Sequence, residues 1–467
     1  MAMNSSKSLQ EGVSYNKVLT ADVIREGEPW PPMSQRDRIQ RYDKNKLLFG
    51  GKHQEVYVTW ASTISHEVDI QRDLEYIIAN FPGALSRLMA DLLFGEFSPT
   101  LGATCKNLDT QKEVERIIRD NNLLLKAYET SGIGASYRGD GVYKVYIPSG
   151  SDRVMISSIN PRIWFPIVDP GDTKEIISHI IAYPVTINGN TYLRKEIYNK
   201  GEVYRQAFEL KGLTIGRAQP ISKVFGNDVK EHEQLKIKEF LIFHNPNYTT
   251  DDELFGLDDY IELDSIFPAV NKFMTRVDYV LSKHTDPGMY GPASALEEDE
   301  RTGELQFKVG GRYIPMEAGE ANPGYLVWDA KLDAARNHLE KLLEIMFYIS
   351  ETSPAAFGLD KSAISEAGVA LRTRLMRPLA KVNRKRLYID PCLKQLTDIA
   401  QQLEIEYLGK SYEKEVPEFE WQDGLPDNPS ETANVMAVRG SGKTVTKATA
   451  IQKLDKVSAD EAKRRSE

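Results

Sequence analysis

Two cysteines, Cys105 and Cys392, are all that 467 residues contain, which excludes a disulfide framework. Histidine is also scarce. The seven, at His53, His66, His179, His232, His244, His284 and His338, are scattered with no pair at metal-ligand spacing and no cysteine pair nearby, so no metal centre is signalled. No apolar run approaches the roughly 20 residues that cross a bilayer, because even LSRLMADLLF is interrupted by Arg87 and Asp91. No Gly-x-Ser-x-Gly turn or cysteine-nucleophile signature is present, no segment repeats, and no tract is of low complexity. The first residues, MAMNSSKSLQEG, lack the apolar core of a signal peptide. With the cysteine count, this predicts a protein that is soluble as made and synthesised in a reducing, intracellular compartment.

What is present is an ordinary globular mixture, 41% hydrophobic and 27% charged, able to bury a sizeable core. At roughly 100 to 200 residues per domain the length predicts about three structural units. Lys and Arg number 59 against 68 Asp and Glu, a net charge of −9, so tight nucleic-acid binding by bulk charge is excluded while local basic faces stay open.

Residues 1 to about 60 are polar and proline-punctuated, with Pro31 and Pro32 beside Trp30, and read as an arm that docks on something. From Ser65 to Phe94 the apolar spacing predicts two helices broken at Phe81-Pro82-Gly83, and a third follows at about 110 to 131. Strand-like alternation then appears at Tyr143 to Ile147 and near 154 to 159, 176 to 184, 192 to 198 and 236 to 243. Helices followed by strands predict an α+β domain. Helical spacing returns from Ile266 to about Lys283, where Pro268 kinks the helix or marks its start, and again from about Lys331 to Ser350. Between them, Leu305 to Val309, Gly310-Gly311 and Arg312 to Ile314 spell a tight hairpin. Both helices carry apolar stripes that one partner covers only in part, which asks for neighbours such as other subunits. A breaker-rich loop from Ser353 to Gly358 leads to a long helix over about Ser362 to Leu403, interrupted at Pro378 and Pro391. Short strands are expected over 404 to 421, and helices with a break at Gly440-Ser441-Gly442 after Asn428-Pro429.

Five features need weighing. Gly440-Ser441-Gly442-Lys443-Thr444 imitates a phosphate loop, but polar, helix-like residues precede it where a buried strand is required, so it reads as a glycine-broken turn between helices. Gly132-Ile133-Gly134 imitates a dinucleotide fingerprint but has Tyr137 at the third glycine and follows no strand. Arg138-Gly139-Asp140-Gly141 is best read as the turn into a strand. The acid run Glu297-Glu298-Asp299-Glu300 is a solvated loop or a docking patch for a basic partner. Finally, Arg372, Arg374, Arg377, Lys381, Arg384, Lys385 and Arg386 make the long helix densely basic, either as a phosphate-facing or intersubunit surface or as a solvated face over an aliphatic core.

In its order of parts, nearly the whole chain resembles the portal proteins, or head-tail connectors, of tailed bacteriophages, of the siphovirus type. The resemblance is carried by Trp30-Pro31-Pro32, by Asn80-Phe81-Pro82 leading to Ala90-Asp91-Leu92-Leu93-Phe94-Gly95-Glu96, and by Gly139-Asp140-Gly141-Val142-Tyr143-Lys144-Val145-Tyr146. It is carried also by Glu366-Ala367-Gly368-Val369-Ala370-Leu371-Arg372 and by Asp423-Gly424-Leu425-Pro426-Asp427 ahead of the C-terminal helices. It implies an α+β subunit with an N-terminal arm (1–39), a wing (40–257, completed by a long helix and return over 367–424), and stem helices at 258–284 and 330–352. It implies a small clip at 285–329, a tunnel loop at 353–366 and a helical crown at 425–467. Such subunits form a ring, usually dodecameric, at one capsid vertex of the virion, through which double-stranded DNA is packaged and ejected.

The same resemblance implies a tunnel loop projecting Ser353, Ala356, Phe357, Leu359, Asp360 and Lys361 to the bore, with Lys361 touching phosphates in passing. Clip residues Glu297, Glu298, Asp299, Glu300, Phe307 and Tyr313 would meet the terminase large subunit and later the head-completion or adaptor protein. Stem residues Phe273, Val277, Leu281, Leu339, Leu342 and Met346 would pack between subunits, and major capsid and scaffolding proteins would be further partners. It implies no enzyme activity, cofactor or membrane partner, with the ATPase acting in trans, and synthesis in the host bacterial cytoplasm. Two other readings stay open from the residues alone: a nucleic-acid-processing enzyme with a site of scattered acids, and a capsid or tail scaffold without a bore.

Overall fold

The computed structural model describes residues 18–57, 76–95, 102–226, 228–285, 289–290, 296–298, 305–307, 319, 324–325, 332–359, 373–421, 429–455 and 459–466. It is a mixed α+β fold with long helices and several sheets. The chain divides into two compact units. Unit 1 comprises Met1–Phe49, Pro82–Ile261 and Glu351–Glu467; unit 2 comprises Gly50–Phe81 and Glu262–Ser350. The longer helices are α1 (Arg36–Phe49), α2 (Phe81–Phe94), α3 (Leu108–Asp120), α4 (Ile266–Thr285), α5 (Leu332–Ile349), α6 (Met376–Leu408), α7 (Pro429–Ser441), α8 (Lys447–Asp455) and α9 (Ala459–Ser466).

Unit 1 is built around a six-stranded antiparallel sheet. Its strands β4 (Trp164–Asp169), β5 (Asp172–Ile187), β6 (Asn190–Asn199), β7 (Glu202–Lys211) and β8 (Thr214–Gln219) lie in that order, and β9 (His232–Gln234) pairs with β7. Asn188 and Gly189, both at positive φ, close the β5–β6 hairpin, as a two-residue turn of matching twist requires. Alternation places Phe165, Ile167, Ile180, Ala182, Leu193, Phe208 and Ile215 in one core cluster, which Leu19, Ile24, Trp30 and Ile39 complete.

The N-terminal arm therefore docks on its own chain. Leu19 O accepts from Val168 N at one edge strand (2.8 Å). At the other, Glu28 O accepts from Ile215 N (3.0 Å) and Trp30 N donates to Leu213 O (2.8 Å). The Trp30 ring meets Phe165 of β4 edge-on at 5.5 Å, and buried Lys195 of β6 reaches from the sheet to Asp22 and to Ile24 O (2.8 Å). The polar arm expected up to about residue 60 ends sooner, because Ile39, Tyr42, Asn45 and Leu48 recur on one buried helical face and make α1.

A second sheet of unit 1 orders β10 (Ile242–Pro246), β2 (Asp140–Tyr146) and β3 (Met155–Ile159), and β1 (Gly102–Thr104) pairs with β15 (Glu418–Glu420). The helix expected over 110 to 131 stops at Asp120, since Asn122 turns left-handed (φ +47). Further helical turns follow at Leu123–Ala127, Tyr128–Gly134 and Ala135–Arg138, so Gly132-Ile133-Gly134 lies within helical chain and not after a strand. Gly139 is the turn into β2; a Cβ there would stand 2.0 Å from Gly256 O.

Two expectations fail around α6. Pro391 does not break it, because Leu393, Leu396, Ile399, Ala400 and Leu403 continue a buried face whose packing exceeds the roughly 3 kcal/mol that an interior proline costs. The short strands expected over 404 to 421 reduce to β15, since the helix runs on to Leu408 and ends at left-handed Gly409. Pro378 sits in its first turn, where the missing N–H is harmless.

In unit 2, α4 and α5 pack on each other, with Phe273 against His338 (ring centroids 4.9 Å). Pro268 lies in the first turn of α4 and marks its start. Asn271 and Thr275 of α4 hold the extended segment 76–80, accepting from Ala79 N (3.0 Å) and Ile77 N (3.1 Å). Between the two helices, β11 (Met289–Tyr290) pairs with β14 (Gly324–Tyr325), and β12 (Leu296–Glu298) with β13 (Leu305–Phe307). The partner found for Leu305–Phe307 is thus Leu296–Glu298; the Gly310-Gly311 turn lies outside the described residues.

Candidate functional site

Three places gather chemistry or exposed apolar surface. The first is the basic stretch of α6, whose cations do not form a single solvated face. Lys381 and Lys385, one turn apart, point inward to Asp259, at 3.0 and 2.5 Å. Asp259 also accepts from Ser136 Oγ (2.6 Å) and Asn247 Nδ2 (3.2 Å), and Lys385 donates to Asn247 Oδ1 (2.7 Å). Burial pushes the Asp259 carboxyl up, but Lys381 and Lys385 outweigh it and hold the group well below the usual carboxylate range. Burial brings Lys385 down to about 8 against the pull of Asp259. With the Asp259 and Lys385 side chains 0% and 1% exposed, the cluster is an internal tie and not an open reaction centre. On the outer side of the same turns, Arg384 and Arg377 both face Glu351. Arg374 is half-buried, and Arg372 lies outside the described residues.

A neighbouring buried network joins α1 to β2 and β10. Arg38 donates to Gln35 Oε1 (2.9 Å), Pro161 O (3.0 Å) and Trp164 O (2.9 Å), with its guanidinium 4.5 Å from the Phe255 ring centre. Tyr42 donates to Asp140, which also contacts His244 Nε2 (2.6 Å) and accepts from Gly256 N (2.9 Å). Burial first, then the Asp140 charge, raise the Tyr42 pKa and keep its proton in place. Trp164 Nε1 donates to His179 Nδ1 (3.0 Å), and burial with His244 nearby pushes His179 down to about 3, so it is neutral as that acceptor role demands.

The second place is a groove of about 450 Å³ on unit 2. Ile77, Phe273, Met274, Val277, Leu281 and Leu339 line it, with Asp278, Asp333 and Arg336 beside them. Four of the six stem residues singled out in sequence thus come together. Leu342 is half-buried, and Met346 is buried at 3% exposure and already covered within the chain. Leu281, Ile345 and Tyr348 expose 41%, 39% and 78% of their surface, leaving apolar area on both helices.

The third is a cleft of about 370 Å³ on unit 1, lined by Lys144, Tyr146, Tyr198, Arg205, Glu233 and Tyr407 among others, which sequence reasoning did not find. Its cations are engaged, Lys144 with Glu196 (3.2 Å) and Arg205 with Glu233 (2.7 Å). Its residues come from β2, β6, β7, β9 and α6, and no local spacing announces such an assembly.

The remaining sequence-selected residues are dispersed. Ser353 caps the turn Pro354–Phe357, Gly358 ends it at φ +68, and Leu359 is 60% exposed; Ala356 and Phe357 are half-buried. Glu297 and Glu298 lie in β12 and Phe307 in β13, whereas Asp299, Glu300, Tyr313, Asp360 and Lys361 fall outside the described residues. The Gly440 to Thr444 segment begins in the last two residues of α7, with Gly442 N bonded to Val438 O and Thr444 N to Arg439 O, the closing turn of a helix and not a loop after a strand. Among the described residues no group of three or more His, Cys, Asp or Glu is placed to hold a metal ion, and no helix is long and apolar enough to cross a membrane.

No family model and no curated protein matches the chain. Among solved structures, a chain in the virion of a native gene transfer agent (GTA) particle is 12% identical, with a TM-score of 0.43, covering 80% of this chain and 89% of that one. A chain in the neck of an empty GTA particle, computed with C6 symmetry, is 11% identical, with a TM-score of 0.43 and the same coverage. The similarity of this α+β chain to both is distant.

Proposed function

We propose that the chain is the subunit of a portal ring, a channel at one capsid vertex for packaging and ejecting double-stranded DNA. The observation that carries this reading is the arrangement in unit 2. Two long helices, α4 and α5, bracket a small insert of paired strands and leave an apolar groove and an exposed Leu281, Ile345 and Tyr348. A groove on one helix face that receives a different face of an identical neighbour makes a heterologous contact, and such contacts repeat until the rotation closes a ring. The order of the sequence segments supports the same reading. In it, 353–359 belongs to the loop nearest the bore, β11 to β14 to the clip that meets the terminase large subunit and later the adaptor protein, and α7 to α9 to the crown.

The net charge of −9 fits a conduit, since many phosphate contacts at once would hold the DNA rather than pass it. The chain does no chemistry in this role, and nucleotide hydrolysis belongs to a partner. Electron microscopy of the purified protein tests the proposal. End-on rings with a central hole wide enough for a duplex are expected, and metal-dependent nuclease activity from particles that stay monomeric at every concentration refutes it.

A further inference from the structure

Unit 1 gives up the chain after Ile261 and takes it back at Glu351, and each of these points has an acidic residue held by the same three turns of α6. On the outgoing side, Asp259 lies between Lys381 and Lys385. On the returning side, Glu351 faces Arg377 (3.7 Å) and Arg384. Four of the seven cations that looked in sequence like one basic face, Arg377, Lys381, Arg384 and Lys385, make two grips on two chain segments more than 90 residues apart in number.

The grips differ in kind. The outgoing one is sealed, with side chains 0% exposed at Asp259, 1% at Lys385 and 5% at Lys381, and it is doubled by Ser136 Oγ and by the Asp259 N to Ser136 O bond (2.8 Å). The returning one is open to solvent, with side chains 28% exposed at Glu351, 43% at Arg384 and 66% at Arg377. Salt screens an exposed pair and leaves a buried one nearly untouched. Glu351 also sits at φ +56, a left-handed conformation that its β-carbon disfavours, so the backbone there does not hold itself.

We propose that α6 is a graded clamp: the segment at Asp259 is fixed, while the segment at Glu351 is a release point that screening of its charge opens, freeing 351–359 with the rest of unit 1 folded. This device lies within unit 1 and holds whether or not the chain forms rings. Hydrogen exchange on the full chain tests it, in about 20 mM and about 500 mM NaCl, where screening lengths differ several-fold. Peptides covering 352–359 are expected to exchange about fivefold faster at the higher salt, the loss of one or two exposed pairs. Glu351→Gln at low salt reaches that faster rate and loses the salt response, and peptides covering 257–261 keep one rate throughout. Equal exchange of 352–359 in wild type and Glu351→Gln overturns the proposal, as does loosening of 257–261 in step with it. Glu351→Gly separates charge from backbone: faster exchange of 352–359 supports the clamp, and slower exchange overturns it.

Discussion

Trp30→Ala removes the largest side chain that the N-terminal arm places in the core of the six-stranded sheet. Trp30 is 8% exposed, so nearly all of its surface is lost from the interior, and large-to-small changes of this kind cost about 3 to 5 kcal/mol. The edge-on contact with Phe165 adds about 1 kcal/mol. About 4 kcal/mol is a large share of the 5 to 15 kcal/mol that usually holds a domain together. The arm is tied down at both edges of the sheet, by Val168 N to Leu19 O and by Ile215 N to Glu28 O, so the loss appears at those two amides before the sheet interior yields. Hydrogen exchange of peptides covering 165–169 and 213–216, with chemical denaturation of the same samples, reads both effects. A variant whose midpoint corresponds to less than about 0.5 kcal/mol of destabilisation, within the range of ordinary surface changes, and whose Ile215 amide stays protected would refute the docked arm.

Acid should weaken unit 1 in two stages. His179 is held neutral at about 3 while an unfolded histidine titrates near 6.5, so only the unfolded chain takes up a proton between these values, and stability falls by about 1.4 kcal/mol per pH unit below 6.5. Below about 4.5 Glu196 joins it, its carboxyl held down to about 2 by Lys144, Tyr198 and Arg194 against the effect of burial; His179→Asn should flatten the first stage alone in pH-resolved denaturation. Leu281→Glu, at a position already 41% exposed, should leave thermal unfolding within about 0.5 kcal/mol of wild type while abolishing rings in electron microscopy and sedimentation. Gly139→Ala should prevent unit 1 from folding, because φ is +93 and the new methyl meets Gly256 O at 2.0 Å; Gly150→Ala, at φ +74 with nothing within 4 Å, should cost only about 1 to 2 kcal/mol in the same melts.

Legibility in the sequence followed the range of the interaction. The stripes of α4 and α5 and the alternation in β6 are local patterns and were read near their true bounds, whereas 176 to 184 covers only the middle of β5, whose exposed start at Asp172 to Glu175 carries no apolar alternation. The strands β4, β7 and β8 were missed for separate local reasons. β4 is an unbroken buried run with Pro166 in it, tolerated because the strand is at an edge; β7 and β8 mix Arg, Gln and Glu into the alternation. The Asn188-Gly189 dipeptide was a hairpin signal available in sequence and not used. Basic residues on α6 were visible as a group, yet their division between Asp259 and Glu351 was not, since the partners lie 126 and 33 residues from Lys385 and Arg384. The arm was seen as something that docks, but its receiving surface is made of strands that only tertiary pairing assembles.

That docking carries a consequence for how the chain is made. Ile24 leaves the ribosome well before its partner Lys195, 171 residues later, which at about 5 to 20 residues per second is a wait of about 10 to 35 seconds. Throughout that interval Ile24 and Trp30 are unburied, and once β4 to β8 emerge their two outer strands show unpaired N–H and C=O groups to every other nascent copy. When Leu19 reaches β4 and Glu28 and Trp30 reach the β8 edge, bonds are made at both margins, and Leu19, Ile24 and Trp30 cover the apolar face. The arm, made before the sheet it caps, thus bonds to both outer strands, where open edges would invite pairing between copies.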